Sequence, residues 1–479
     1  MKLSDEQNEI LRRFEKGDNL FITGPGGTGK TFLIKEMLKV CKKSVQVCAL
    51  TGCAAILLDC GAKTIHSWSG IKIANGEITD IVDRLCNNKY VRKSWRSTHV
   101  LIIDEVSMMS KKIFELLNIL AKTMRNNSKP FGNMQVVFLG DFYQLPPVNR
   151  ETKETEFCFE SKEWEETFPM NNHIVLNQIF RQDDEEYKKI LMKIRKGNID
   201  NHMKDILETR VIKKEEEIDN IIKIFPLRAS VDRLNLTKFL KIEKDAYNCH
   251  KEISKDLKEY MGHNIDKKKL DAFKRATENQ KKFEIDYLYK NNPSIDELKI
   301  KEGSRVMCIV NLDMEKRIYN GSQGTIREIK SLNEKVIEIR VLFDNKEEKT
   351  ITRYVWQSET FPCLGVSQFP LVLAWAITIH KIQGATLEKA VVDCGSNVFE
   401  CGQTYVALSR IRRLSGLYLT SLNMEKIKVN GKVVKFYNKI DEMKKEIETE
   451  EIETIFDEFK YVEIENDVKI IKEENKIIK

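Results

Sequence analysis

A glycine-rich run, Gly24-Pro25-Gly26-Gly27-Thr28-Gly29-Lys30-Thr31, follows a short apolar stretch and opens an amphipathic one. Glycines let backbone N–H groups close around phosphate oxygens at a positive helix end, Lys30 has the reach for the outer phosphates, and the Thr31 hydroxyl can bind Mg²⁺. This is the chemistry of holding a nucleoside triphosphate. Leu101-Ile102-Ile103-Asp104-Glu105 ends an apolar run in two carboxylates. Asp104 suits the Mg²⁺ shell, and Glu105 suits the orientation and deprotonation of an attacking water. Gln144 lies in Gly140-Asp141-Phe142-Tyr143-Gln144-Leu145-Pro146-Pro147-Val148. Its neutral amide can donate or accept beside a terminal phosphate, and the two prolines stiffen the exit of the loop. Arg181 and Arg410, each flanked by apolar segments, are candidates to reach the γ-phosphate from across a crevice. An arginine so placed is worth about 10³ to 10⁵ in rate.

Two further segments have the makings of a polymer track. Thr51-Gly52-Cys53-Ala54-Ala55 leads to Thr64-Ile65-His66-Ser67-Trp68, and Ile377-Thr378-Ile379-His380-Lys381-Ile382-Gln383-Gly384 lies far downstream. The hydroxyls of Thr51, Ser67 and Thr378, the close approach allowed by Gly52 and Gly384, and the polar groups of His380, Lys381 and Gln383 can grip a sugar-phosphate backbone. His66 or Trp68 can stack on a base. The same spacing serves a packed core histidine and tryptophan with ordinary helix caps, and the residues alone leave both readings open.

The elements that must position these groups follow from hydrophobic patterning. Apolar runs at 20–23, 45–50, 100–103, 135–139 and 174–176 alternate with amphipathic stretches, which predicts parallel strands joined by helices in a sheet covered on both faces. In such sheets ligands lie beyond the carboxyl ends of the strands, where the chemically loaded residues fall. A further strand is expected at 221–225. A Lys/Glu/Asp/Asn-rich segment from 236 to about 301 reads as a mostly helical insertion, and a β-rich unit follows from 303 to about 361, with Asn320-Gly321-Ser322-Gln323-Gly324 as hairpin turn chemistry. Apolar α/β patterning returns at Leu371. Beyond Ser421 a Lys/Glu-rich tail reads as a solvated helix or disordered, with no activity.

With 479 residues the chain is long enough for roughly three domains at about 150 residues each. A hydrophobic content of 41% without an apolar run long enough for a membrane span describes a soluble protein. The net charge of +7 is a mild excess on a heavily charged surface and by itself weak evidence for nucleic acid. Eleven scattered cysteines without a C-x-x-C pair suit reduced thiols in an intracellular protein, and the N-terminus has no targeting pattern.

Taken together, Leu3-Ser4-x-Glu6-Gln7, the phosphate loop, LTGCAA, TIHSW, LIIDEVSMM, GDFYQLPPV, IFRQ, TIHKIQGATL and YVALSRIRR occur in helicase order. The set resembles superfamily one helicases of the 5′-to-3′ branch, specifically the PIF (petite integration frequency) family. Lys129-Pro130-Phe131-Gly132-Asn133-Met134-Gln135 resembles the signature insertion that separates this family from its RecD-like cousins. The resemblance implies an α/β fold of two RecA-like P-loop NTPase lobes with an SH3-like β-barrel inserted in the second lobe. It places the first lobe at 1–180 with a small wedge insertion near 70–98, the second at 181–235 and 365–425, the insertion at 236–364 and a charged tail at 426–479.

It further implies ATP and Mg²⁺ as cofactors. Gln7 becomes the adenine-contacting glutamine beside the phosphate-loop residues Gly24, Gly26, Gly27, Thr28 and Gly29, and Gln383 with Gly384 resembles the motif that couples DNA to nucleotide. Asn311, Asn320 and Gly324 match the inserted barrel, and Ile382 stands where the family usually has a serine. The implied partners are single-stranded DNA and single-strand/duplex junctions, for a monomer that could meet replication or recombination proteins. The implied activity is ATP-driven 5′-to-3′ translocation with unwinding. The alternatives are a translocase subunit that does not unwind and a catalytically silent ssDNA-binding module.

Overall fold

The computed structural model describes residues 3–446, apart from 59, 72–76, 148–153, 213–220, 255–266, 314, 319, 359–360 and 362. Val148, part of the polar insertion and residues 447–479 of the tail therefore lie outside the described residues.

Six strands, β1 (Leu20–Thr23), β2 (Val45–Ala49), β3 (Lys63–Thr64), β4 (Val100–Asp104), β5 (Gln135–Leu139) and β6 (His173–Val175), form one parallel sheet in the order β3-β2-β4-β5-β1-β6. Alternate side chains enter different cores, as a two-residue period requires. Phe21, Leu101, Ile103, Val136 and Phe138 join one apolar cluster, whereas Leu20, Ile22, Val100, Ile102, Val137 and Leu139 join another. The helix Lys30–Val40 covers the second face with Leu33, Ile34 and Met37. The helix Lys111–Arg125, capped by Ser110, covers the first face with Phe114, Leu117 and Leu120.

The segment before β5 is a brace for that helix. Phe131, Gly132 and Asn133 all take left-handed φ values of 48°, 59° and 59°. Phe131 N–H donates to Asn118 Oδ1 at 2.7 Å, while its ring packs edge-on against Phe114 and Phe138. At Gly132 a Cβ would come within 2.6 Å of the Ala121 carbonyl, so the close approach to the helix requires glycine.

A second parallel sheet begins at β7 (Lys223–Phe225). Between β7 and its neighbours the chain makes β8 (Tyr247–His250), β9 (Glu252–Ser254), the helices Lys267–Arg275 and Glu278–Asn291, and β10 (Glu297–Ile300). The polar segment holds more helix than strand among the described residues, as expected, but it also carries three short strands that its patterning hid: β8 buries only Cys249 and β9 buries no side chain. Next come β11 (Arg305–Cys308), β12 (Gln323–Leu332), β13 (Lys335–Phe343), β14 (Glu348–Ile351), β15 (Tyr354–Gln357), β16 (Gly365–Gln368) and β17 (Leu371–Leu373). Five of these form an antiparallel sheet in the order β14-β13-β12-β11-β17.

The tight hairpin falls at Asn333-Glu334, both at positive φ, between the paired residues Leu332 and Lys335. It does not fall at Asn320-Gly321, which ends the long β11–β12 loop, where Asn320 N–H donates to Asn311 Oδ1 at 3.1 Å. The return to the second sheet also comes later than the apolar run at 371 suggests. β16 pairs with β15 and β9, and β17 with β11, so both belong to the inserted strands. The second sheet is completed by β18 (Ala376–Thr378), β19 (Ala390–Cys394) and β20 (Leu417–Leu422) in the parallel order β18-β7-β19-β20.

The tail is not simply solvated. Residues 431–446 form a helix that returns to the first sheet and buries Val433, Tyr437 and Ile440 in the cluster around Phe21 and Phe142. Three apolar positions in a Lys/Glu-rich stretch, spaced four and three apart, are enough for one buried stripe. Among the described residues no helix is long and apolar enough to cross a membrane.

Candidate functional site

The carboxyl ends of β1, β4 and β5 and the segments after β6, β18 and β20's neighbouring helix Gln403–Leu408 meet around one cleft of about 1360 Å³. Its walls include Gln7, Lys30, Thr31, Asp104, Glu105, Gln144, Arg181, Gln383 and Arg410, so residues remote in sequence converge.

The helix Lys30–Val40 starts on Gly29 at φ 82°, and Gly26, Gly27 and Gly29 of the loop line the cleft. Lys30 Nζ donates to the carbonyls of Gly24 at 2.7 Å and Pro25 at 2.9 Å. Burial lowers its pKa, and the charges of Asp141, Glu105 and Asp104 oppose that shift. Thr31 Oγ1 donates to Asp104 Oδ2 at 3.4 Å, and Glu105 N–H donates to Asp104 Oδ1 at 2.8 Å. Burial, reinforced by the neighbouring Glu105, pushes the Asp104 carboxyl up to about 7. A buried carboxylate beside a hydroxyl, both facing the phosphate loop, fits a divalent cation that takes its remaining ligands from water and phosphate. Among the described residues no cluster of three His, Cys, Asp or Glu side chains could by itself hold a metal ion.

Glu105 sits at φ 57°, a conformation uncommon outside glycine and asparagine, and its side chain accepts from Gln383 Nε2 at 3.0 Å. Gln144 accepts from Arg410 Nη2 at 3.3 Å. Arg181 Nη1 donates to the Ser409 carbonyl at 3.1 Å and lies beside Gly26 and Gly27 of the phosphate loop. Neither arginine has an ion-pair partner among the described residues. Burial pushes Arg181 down to about 9, with the charge of Arg410 adding to it, and burial lowers Arg410 too. Two desolvated guanidiniums with no ion pair, sensing the charge of Glu105 only at a distance, have the chemistry to receive an anion.

Gln7 is buried in a capping box: its Oε1 accepts from Ser4 N–H, and its Nε2 donates to the Thr28 carbonyl at 3.4 Å. It therefore stands against the phosphate loop.

The expected polymer-track residues separate. Thr51 caps a helix by accepting from Ala54 N–H, next to Gly52 at the first helical position, and Thr64 accepts from Ser67 N–H. His66 and Ser67 are half-buried, as are Thr378, His380 and Gln383, while Lys381 and Gly384 are exposed. Trp68 is corrected: it is 6% exposed and its ring lies 4.5 Å from that of Trp95, so it is a core residue with no face for a base. Ile382 is fully buried in the core of the second sheet, where a serine hydroxyl would have to find a partner.

Three groups were missed by sequence reasoning. Tyr405 Oη accepts from Gly26 N–H at 2.8 Å, within a motif already singled out for Arg410. Arg195 holds both oxygens of the buried Asp141 at 2.8 and 2.9 Å. Tyr437 joins the same node from the C-terminal helix. Tyr405 could be suspected from its motif, whereas Arg195 and Tyr437 carry no sequence signal. Gly402 lets the Tyr405 helix approach, since at φ 76° a Cβ there would lie 2.6 Å from the Gln144 carbonyl.

Residues 2–205 match the family described as PIF1-like helicase. An ATP-dependent DNA helicase Pif1 of Bdellovibrio bacteriovorus is 31% identical over 92% of this chain and 93% of its own length. The chain belongs to the PIF1-like helicase family. The relative of this family named ATP-dependent DNA helicase PIF1 in Xenopus laevis is also 31% identical, but the chain spans only 65% of its length. Among solved structures, the Pif1 helicase from Candida albicans is 32% identical with a TM-score of 0.72, covering 92% of this chain and all of the other. Pif1 helicase from Bacteroides in complex with ADP-AlF3 and ssDNA is 29% identical with a TM-score of 0.62, over 92% and 97% of the two chains. The α/β fold with parallel sheets found here is thus that of PIF1-like helicases.

Proposed function

We propose that this chain is an ATP- and Mg²⁺-dependent DNA helicase that moves 5′ to 3′ on single-stranded DNA and opens the duplex ahead. In this reading the two parallel sheets are RecA-like lobes, and the five-stranded antiparallel sheet is an SH3-like insertion in the second. The helices Ile78–Cys86 and Lys89–Ser97 are the small wedge of the first lobe. The single observation that carries the proposal is the hydrogen bond from Gln383 to Glu105. It joins the segment expected to grip DNA to the carboxylate expected to activate water.

The chain's own groups divide the work. The amides of Gly27 and Gly29, and that of Gly26 once it leaves Tyr405 Oη, face the phosphates with the ammonium of Lys30 once it leaves the Gly24 and Pro25 carbonyls. Thr31 and Asp104 hold the divalent cation, which supplies neutralisation of phosphate charge. Glu105 takes the proton of the attacking water, and Gln144 reports on the terminal phosphate. Arg181 and Arg410 stabilise charge from the second lobe, so that closure of the lobes and hydrolysis depend on each other. His380, Lys381, Gln383 and Gly384 in the second lobe and Thr51, Gly52, His66 and Ser67 in the first are two grips on one strand. Opening a base pair costs about 1.4 kcal/mol in stacking, a small load for one hydrolysis step. Polarity is taken from the family.

The test is unwinding of duplexes with 5′ or 3′ single-stranded tails, alongside ATPase with and without ssDNA, for wild type, Lys30→Ala and Glu105→Gln. Wild type should unwind only from the 5′ tail and both variants should fail. Unwinding from the 3′ tail alone would overturn the polarity, and ssDNA-stimulated ATPase without strand separation would favour a translocase.

A further inference from the structure

The helix over 431–446 lies outside every motif used above, yet Tyr437 reaches the root of the nucleotide site. Its hydroxyl meets Thr23 Oγ1 at 2.5 Å, the N–H of Phe142 at 3.2 Å and Asp141 Oδ1 at 3.4 Å. A phenol has one proton to donate and can accept twice. One arrangement uses every group: Thr23 and Phe142 donate to the phenol oxygen, and the phenol donates to Asp141. The ring stacks on Tyr143 with centroids 4.6 Å and planes 17° apart. The guanidinium of Arg195, which pairs with Asp141, lies 4.4 Å from the Tyr143 ring and 5.3 Å from that of Tyr437.

The partners of this hydroxyl matter more than its burial. Thr23 directly precedes Gly24, whose carbonyl holds Lys30. Phe142 and Tyr143 directly precede Gln144. A helix that needed only an apolar anchor would be served as well by phenylalanine, because a buried hydroxyl is costly unless its bonds are made.

We propose that Tyr437 is a positioning residue of the nucleotide site: its hydroxyl ties the root of the phosphate loop to the root of the sensor loop, so that Lys30 and Gln144 address the same terminal phosphate. The inference rests on the ATPase reading above. It makes the C-terminal helix part of the motor, and Arg195, in the helix Glu185–Lys196, extends the tie through its pairing with Asp141.

The experiment uses the full chain as wild type, Tyr437→Phe, Thr23→Val and the double variant, with steady-state ATPase on ssDNA, binding of a fluorescent ATP analogue and thermal unfolding. Tyr437→Phe keeps the stack and the apolar burial. It should lower ssDNA-stimulated kcat about tenfold, since small misplacements of reacting groups are costly in rate, with KM for ATP close to wild type and Tm lower by only a few degrees for the lost hydrogen bonds. The double variant should lose no more than Tyr437→Phe alone, because both changes remove one shared bond. A Tyr437→Phe kcat within about twofold of wild type, or losses in the double variant that multiply, would overturn the proposal. So would a fall in kcat accompanied by parallel losses in ATP binding and Tm. A wild-type chain with no ssDNA-stimulated turnover would overturn the ATPase reading itself, and this inference with it.

Discussion

Arg410 Nη2 donates to Gln144 Oε1 at 3.3 Å, joining residues 266 positions apart across the cleft. The amide proposed to sense the terminal phosphate is therefore already in contact with the cation proposed to stabilise it. Arg410 is 2% exposed and has no ion-pair partner among the described residues, which suits the anion-stabilising role proposed for it.

Arg410→Ala and Arg181→Ala should each lower the ssDNA-stimulated kcat by about 10³-fold, as expected for a group that acts on transition-state charge. Affinity for single-stranded DNA should stay near wild type. Steady-state ATPase and fluorescence anisotropy of a labelled oligonucleotide check both halves, and equal losses in the two would refute the assignment.

Gln383→Ala should uncouple DNA from turnover. Its bond to Glu105 joins the segment proposed to grip DNA to the carboxylate proposed to activate water. The ratio of kcat with ssDNA to kcat without should shrink about tenfold, within the usual range of coupling free energies. ATP binding should be unaffected, and an unchanged ratio would sink the link.

Trp68 makes a prediction of opposite kind. Trp68→Ala should destabilise by about 3–5 kcal/mol, the usual cost of emptying a large aromatic site. Trp68→Phe should recover much of the Tm and bind ssDNA as wild type does. Weaker ssDNA binding by a well-folded Trp68→Phe would restore the stacking role that the packing on Trp95 removes.

His173 sets a pH dependence of stability. Its Nε2 accepts from Trp164 Nε1 at 2.9 Å while Nδ1 lies 3.2 Å from the Pro169 and Met170 carbonyls, so the neutral ring fits the site. Burial pushes its pKa down to about 4 from 6.5. The unfolded chain therefore binds the proton first as pH falls. Stability from this residue is complete above about 6.5 and declines toward 4, by about 3 kcal/mol in full. Urea unfolding at pH 7 and pH 5 should show the loss, and His173→Gln should flatten it.

The nucleotide half of the site was legible because its chemistry is local. Gly24 to Thr31 needs consecutive residues to wrap a phosphate, and Asp104-Glu105 needs only a strand that ends at the right place. The two candidate track segments were only half legible: the residues left open whether the Thr51 hydroxyl caps a helix or grips a strand, and whether Trp68 faced a base or Trp95 depended on a helix 27 residues later. The strands β8, β9 and β10 escaped because their patterning is too short for a two-residue period to register.

By itself, then, the sequence determined the kind of chemistry to expect, a triphosphate loop with two carboxylates placed to serve it, and the order of elements that carries it. Only the tertiary structure decided which distant groups meet there. Arg410 on Gln144, Gln383 on Glu105, Tyr405 on Gly26, and Tyr437 on Thr23 and Phe142 are contacts between segments hundreds of residues apart. A local pattern reports the backbone a residue prefers, but the partner of a buried polar group is fixed by where the folded chain leaves a donor or acceptor unsatisfied.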